Sequence, residues 1–280
     1  MTDVAIVGAG ELGGSIASIL AHRDLVRSIT LIDATGQVAA GKALDIMQVA
    51  PIARFSTRVT GSTDLSRAAG ASVVLVADHA RDGEFTDETG LSLLKQLSQM
   101  AAGRVVICAG AGHQPLVDRG VRELRYPWRQ LLGSAPEALA GAVRALVALD
   151  TNGSAADVAL TVLGLPPAHA VVPWEEATIA GMAATAVLDE PTRRRLAARV
   201  APLWPPGPYA LATAAATVVS AMAGRSRRRL SCFVAPEADA RARHRTVALP
   251  VALSPMGIQT VELPRLSGNS RVALENALLL

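Results

Sequence analysis

Residues 4–22 read VAIVGAGELGGSIASILAH, and residues 28–33 read SITLID. The first stretch opens on an apolar run with no polar alternation, which is the pattern of a strand covered on both faces of a parallel sheet. Glycines follow at 8, 10 and 13, and apolar residues then recur at helical spacing. A G-x-G-x-x-G placed between a strand and a helix is the dinucleotide fingerprint. Its first glycine permits a tight turn, the second lets a pyrophosphate approach the backbone, and the third packs helix against strand. The helix N-terminus then faces the phosphates. Glycine-rich turns are common, and the same three residues would also serve a turn that only packs. What sharpens the reading is Asp33 at the end of the second strand, about twenty residues on, where a carboxylate accepts hydrogen bonds from ribose hydroxyls. An acid there repels a 2'-phosphate, so the expected cofactor is NAD rather than NADP. The expected cofactor contacts are Gly8, Gly10, Glu11, Leu12, Gly13 and Asp33. Glu11 brings a negative charge close to the pyrophosphate position unless its side chain turns to solvent.

Outward from this stretch, strand-like runs recur as VAIVG, SITLID, STRVTG, SVVLVAD, RVVICAG and, more weakly, WRQLLGS, with helical patterns between them. Such alternation predicts an α/β fold: a Rossmann-type doubly wound parallel sheet forming a dinucleotide-binding domain over residues 1–134. Residues 135–280 lack that rhythm. They hold a helical stretch, APEALAGAVRALVALD, strand-like DVALTVLG and AVVPWEEATIAG, and an alanine-rich helix, YALATAAATVVSAMAG. LSCFVAP, RTVALPVALS and IQTVEL follow as antiparallel strands, and SGNSRVALENALLL as a capped terminal helix. This half is expected to be an α+β second domain.

With 280 residues, 50% of them apolar, the chain can bury a large core. The start shows no secretory pattern, and no stretch of about 18 uninterrupted apolar residues occurs, so a soluble cytoplasmic protein is expected, with no membrane partner. Cys108 and Cys232 each lie inside an apolar run, as small buried hydrophobes do. Neither a disulfide framework nor a metal site is expected. The net charge is +3, with basic clusters at 193–195 and 224–230, but aromatics make up only 3% of the chain. Base-stacking surfaces are therefore scarce, and no nucleic-acid partner is expected.

The segments GAGELGGSIA, GKALDIMQVAP (41–51), VTGSTDL and AGASVVLVA resemble the nucleotide half of the lactate/malate dehydrogenase family. PYALATAAATVV resembles that family's long interior helix, and LSCFVAP with VALPVALSPMGIQTVEL resembles its closing strands. The resemblance implies chemistry by a histidine acid/base, an aspartate that orients it, an arginine that clamps the substrate carboxylate and a lid arginine that polarises the carbonyl. Matched without a gap through GSAPEALAGAVRALVALDTNGSAADVALTVLG, it sets Leu139 at the orienting aspartate and Ala142 at the clamping arginine. The family's Gly-His-Gly reads Leu165, Pro166, Pro167, with Pro166 at the histidine. In the lid, DHARDGEFTDETG, Arg81 matches a retained first arginine, an acid near Asp87 replaces the polarising one, and Ala111 stands where an asparagine is usual. Residues 78–90 carry five carboxylates, Asp78, Asp82, Glu84, Asp87 and Glu88, against one arginine, a surface expected to repel a dicarboxylate.

Two functional readings follow. In the first, the chain is a pseudoenzyme, an NAD(H)-binding relative without 2-hydroxy-acid dehydrogenase activity. In the second, it is an NAD-dependent oxidoreductase of altered specificity for a small molecule. There His79 or His113, which follow strand ends where ligands bind in open parallel sheets, act as acid/base beside Arg81. His22 and His244 read as solvated, and His169 as part of a strand entry. Family resemblance also implies a homodimer or homotetramer, through IASIL and the GKALDIMQ helix.

Overall fold

The computed structural model describes residues 2–226, 228–236 and 246–279. His244 lies outside the described residues. The first half runs β1 (Asp3–Val7), α1 (Glu11–His22), β2 (Ser28–Ile32), α2 (Gly36–Ala53), β3 (Arg58–Ser62) and β4 (Val73–Val76). A two-stranded hairpin, β5 (Asp78–His79) and β6 (Gly83–Glu84), leads to α3 (Asp87–Met100), β7 (Val105–Cys108), α4 (Gln114–Arg122) and β8 (Leu131–Gly133). Then come α5 (Ala135–Thr151), β9 (Val158–Ala159), β10 (Leu163–Leu165), β11 (His169–Val171), β12 (Thr178–Ile179) and β13 (Met182–Ala183). The chain continues through α6 (Ala184–Val187), α7 (Glu190–Ala198), α8 (Pro208–Met222), β14 (Leu230–Val234), β15 (Val247–Ser254), β16 (Gly257–Val261) and α9 (Gly268–Leu279).

All six runs expected as strands in the first half are strands, and they are parallel in the order β3-β2-β1-β4-β7-β8. The order reverses between β1 and β4, and the crevice outside the carboxyl ends of these two strands is the natural ligand position in such a sheet. Every residue of β4 and β7 is buried, as continuous valine and isoleucine runs require when helices cover both faces. On one face α1 and the alanine-rich α8 pack through Ile16, Ala17, Leu20, Ala215 and Val219. Leu94 and Leu97 of α3 and Leu116 and Val117 of α4 cover the other face.

The same sheet continues past Ser134. Phe233 of β14 pairs with Gly133 of β8, and β15, β10 and β11 extend it antiparallel, with β16 on β15. DVALTVLG is broken into β9 and β10, where the Leu160 carbonyl accepts from Arg144 and the Val162 N–H donates to the Ser231 hydroxyl. AVVPWEEATIAG is broken into β11 and β12, where Pro173 removes a ladder donor. Cys108 and Cys232 are both buried and unpaired. No described helix is long and apolar enough to cross a membrane.

Within the second half, an ion pair largely shielded from water fastens α5 to its neighbours. Arg144 reaches Glu137 at 2.7 Å and also donates to the Leu160 carbonyl, while the second Glu137 oxygen accepts from the Ser231 N–H. Truncating one partner strands the other charge where water cannot reach it. Arg144→Ala is expected to lower unfolding free energy by about 3 to 5 kcal/mol in urea titration. The pair Glu137→Gln with Arg144→Met, which keeps an acceptor for Ser231, should recover a good part of that loss.

Candidate nucleotide site

The turn from β1 into α1 lies at the sheet's reversal point. Gly8 has φ +103°, a conformation that a side chain strains, and a Cβ there would clash with the backbone oxygen of Asp78. Leu12 is buried, while Glu11 faces solvent, so its charge stands away from the crevice. Asp33, 5% exposed, accepts from the N–H groups of Ala9 (2.9 Å), Thr35 (2.8 Å) and Ala80 (3.0 Å). Burial works to raise its carboxyl, but the three N–H bonds together outweigh it and hold the group below the usual carboxylate range. It is thus an anion at the position where ribose hydroxyls would donate. Beside it lies a cavity of about 580 Å³ whose walls include Val7, Ile32, Leu65, Phe85 and Leu93, with Thr63, Glu88, Ser92 and Gln96 among its polar points.

The lid is where sequence and structure part. Residues 78–84 form a short hairpin folded down into the crevice, and α3 begins at Asp87. The Asp78 carboxylate accepts from the N–H of Leu12 at 3.1 Å and of Gly13 at 2.9 Å, and its backbone oxygen accepts from the N–H of Gly10 at 3.0 Å. What approaches Gly10 closely is therefore the side chain of Asp78. Glu84 accepts from the N–H of Ala111 at 2.9 Å and of Gly112 at 2.7 Å. Lys42, in the GKALDIMQ helix, donates to the carbonyl of Gly10 at 2.5 Å. Sequence reasoning missed the roles of Asp78, Glu84 and Lys42. The available signal was the Asp82-Gly83 dipeptide, a hairpin-turn pair, with Gly83 at φ +78°.

The two histidine candidates occupy separate settings. His79 lines the nucleoside cavity, its ring 3.8 Å from that of Phe85. His113 is fully buried, its Nδ1 accepting from the Gly110 N–H and its Nε2 without a partner. Arg81 is exposed in the hairpin turn, and His169 is exposed on β11. Leu139 is fully buried against Val143, Val162 and Trp174, and Pro166 is buried between β10 and β11. No group of His, Cys, Asp or Glu able to hold a metal occurs among the described residues.

Taken together, the doubly wound sheet, the glycine turn at its reversal point and the acid closing β2 define a dinucleotide-binding protein. Residues 2–88 match the family model described as lactate/malate dehydrogenase, NAD binding domain. Malate dehydrogenase of Thioalkalivibrio sulfidiphilus is 29% identical, over 94% of this chain and 92% of that protein. Malate dehydrogenase of Cytophaga hutchinsonii is 46% identical over 26% of this chain and 24% of its own length. Among solved structures, malate dehydrogenase from Salinibacter ruber superposes with a TM-score of 0.87 at 21% identity, covering 98% of this chain and 93% of that one. Lactate dehydrogenase from Cryptosporidium parvum, complexed with lactic acid and β-nicotinamide adenine dinucleotide, gives 0.85 at 18% identity, covering 99% and 94%. Residues 2–88 thus match a lactate/malate dehydrogenase NAD-binding domain, NAD is the cofactor that this match assigns, and the chain as a whole is similar to malate dehydrogenases and shares their fold. In the conformation described, NAD fits at one end only. The Asp33 cavity suits its adenosine, while Asp78 holds the backbone donors that its pyrophosphate would need.

Burial lowers His113 from 6.5 to about 4, so the folded protein keeps this ring neutral where an unfolded chain would already bind a proton. Stability from this group is complete above pH 6.5 and drains away as pH falls toward 4, by about 3 kcal/mol in all. Thermal melting followed across that interval should show the decline in the wild type and a flatter profile in His113→Gln.

Proposed function

We infer that this chain is an NAD(H)-binding member of the lactate/malate dehydrogenase family that does not carry out ordinary 2-hydroxy-acid dehydrogenase chemistry. One observation carries the reading: Leu139, which the resemblance sets at the orienting aspartate, is fully buried in an apolar cluster and offers no proton-holding group. Proline at 166 and alanine at 142 agree with it, since neither can transfer a proton or pair with a carboxylate. A positioned general base contributes typically about 10² to 10⁴ in rate, and a clamping charge pair adds further to substrate binding. Losing these groups together leaves no route to useful turnover of a 2-oxo acid.

His113 as a replacement base is disfavoured by its burial, since a ring lowered to about 4 is a weak proton acceptor at neutral pH. His79 stands beside the nucleoside cavity, on the cofactor's adenosine side. We take the halves on either side of residue 134 as functional units, the first binding nucleotide and the second supplying a packed frame. Assembly as a homodimer or homotetramer belongs to the same proposal, with Leu44 and Ile52 of α2 exposed on the GKALDIMQ helix.

Calorimetric titration with NAD, NADH and NADP, paired with a turnover screen of 2-oxo acids and neutral carbonyls, tests the reading. Binding of NAD or NADH without NADP binding, and with NADH consumption at the buffer rate, is the expected result. Reduction of oxaloacetate or pyruvate at about 1 s⁻¹ or faster, the range of ordinary enzymes, would overturn it.

A further inference from the structure

Two pairs of backbone N–H groups in the crevice are arranged as proteins arrange them for phosphate, and each already holds a carboxylate from the hairpin. Leu12 and Gly13, in the first turn of α1, hold Asp78, and Ala111 and Gly112, beyond β7, hold Glu84. A third link runs from the Ala80 N–H to Asp33. Asp78 and Glu84 are also direct cross-strand partners in the hairpin, so their side chains leave it on one face. Like charges placed so repel, and strands of two residues each have little pairing to offset that. The hairpin therefore takes its conformation from the N–H pairs it docks onto rather than from its own ladder.

We propose that Asp78 is a built-in substitute for the dinucleotide's pyrophosphate. The resting site then selects a purine nucleoside without phosphate over NAD, which enters fully only when the hairpin lifts. The inference rests on the nucleotide-binding reading above and specifies which part of the nucleotide is taken. The cavity beside Asp33 stays open for it: apolar walls receive a base, and Asp33, with three N–H bonds on its two oxygens, keeps an acceptor position for a ribose hydroxyl. A 5'-phosphate entering the same turn would meet the Asp78 carboxylate, with the α1 donors already engaged. Lifting the hairpin exposes those donors but first breaks its contacts, so a ligand that needs the lifted state binds with its affinity reduced by that state's population.

The test is calorimetric titration of the full chain with adenosine, AMP, ADP-ribose and NAD, in the wild type, Asp78→Ala and Asp78→Asn. In the wild type, affinity should fall as phosphates are added, adenosine binding at least as tightly as NAD. Removing the carboxylate should strengthen ADP-ribose and NAD by about tenfold or more, ~1.4 kcal/mol, with adenosine unchanged within about twofold. Asp78→Asn keeps the side-chain shape and an acceptor for α1, so it serves if Asp78→Ala fails to fold, with far-ultraviolet circular dichroism as the check. Tighter wild-type binding of NAD than of adenosine would overturn the proposal. So would folded variants whose NAD-to-adenosine ratio stays at the wild-type value, which would leave Asp78 as a helix cap alone. Turnover of oxaloacetate would sink the functional reading without altering these ratios, whereas absence of any purine binding in all three proteins would sink both.

Discussion

The amino end of α1 presents backbone donors that the helix cannot satisfy itself, at the one point of the sheet where strand order reverses. How those donors are satisfied governs the crevice. Gly10 supplies no side-chain cap. The turn relies on two carboxylates from elsewhere, Asp33 on the Ala9 N–H and Asp78 on those of Leu12 and Gly13, while the Gly10 N–H takes the Asp78 carbonyl. A diffusible anion has to compete with one tethered to the same chain, and a short tether gives an effective concentration in the millimolar range. The fingerprint glycines are thus compatible with two occupants, a phosphate or the chain's own hairpin, because both need the same bare backbone.

Beyond β8 the chain uses its positions for packing. Leu139 joins Val143, Val162, Val172 and Trp174 in one apolar cluster, and Pro166 lies in the turn between β10 and the edge strand β11. In the pair of Glu137 and Arg144, one guanidinium nitrogen serves both a Glu137 oxygen and the Leu160 carbonyl, and the other Glu137 oxygen accepts from the Ser231 N–H. That arrangement ties α5 to β14.

Much of the fold was legible because its signals are local. VAIVG, SITLID, SVVLVAD and RVVICAG announce buried parallel strands by the lack of alternation, and GAGELGG with Asp33 announces the nucleotide crevice. The second half was legible in α5, α8 and α9 and in β14 to β16, but not in the continuity of the sheet, since pairing of Phe233 with Gly133 depends on contacts a hundred residues apart. The site was half legible. Asp33 follows from its position at a strand end. Asp78 sits in a run that reads equally as strand or lid, and nothing local says that its carboxylate turns back onto residues 12 and 13, more than sixty positions upstream.

The five acids of residues 78–90 show why counting charges along a chain differs from placing them. Read as a sum, they form one negative surface that repels any dicarboxylate. In the fold they divide: Asp78 and Glu84 turn inward onto N–H pairs, Glu88 pairs with Arg119 at 2.8 Å, and Asp82 and Asp87 face solvent. Two solvated carboxylates are screened within about 8 Å at physiological salt, so their effect on an approaching substrate is weak. Asp78, by contrast, sits inside the donor nest, where a second negative charge about 4 Å away would raise the energy by about 4 kcal/mol at an effective dielectric of 20. The selectivity written into this lid is consequently local and directed at phosphate in the crevice, more than at the carboxylates of a substrate.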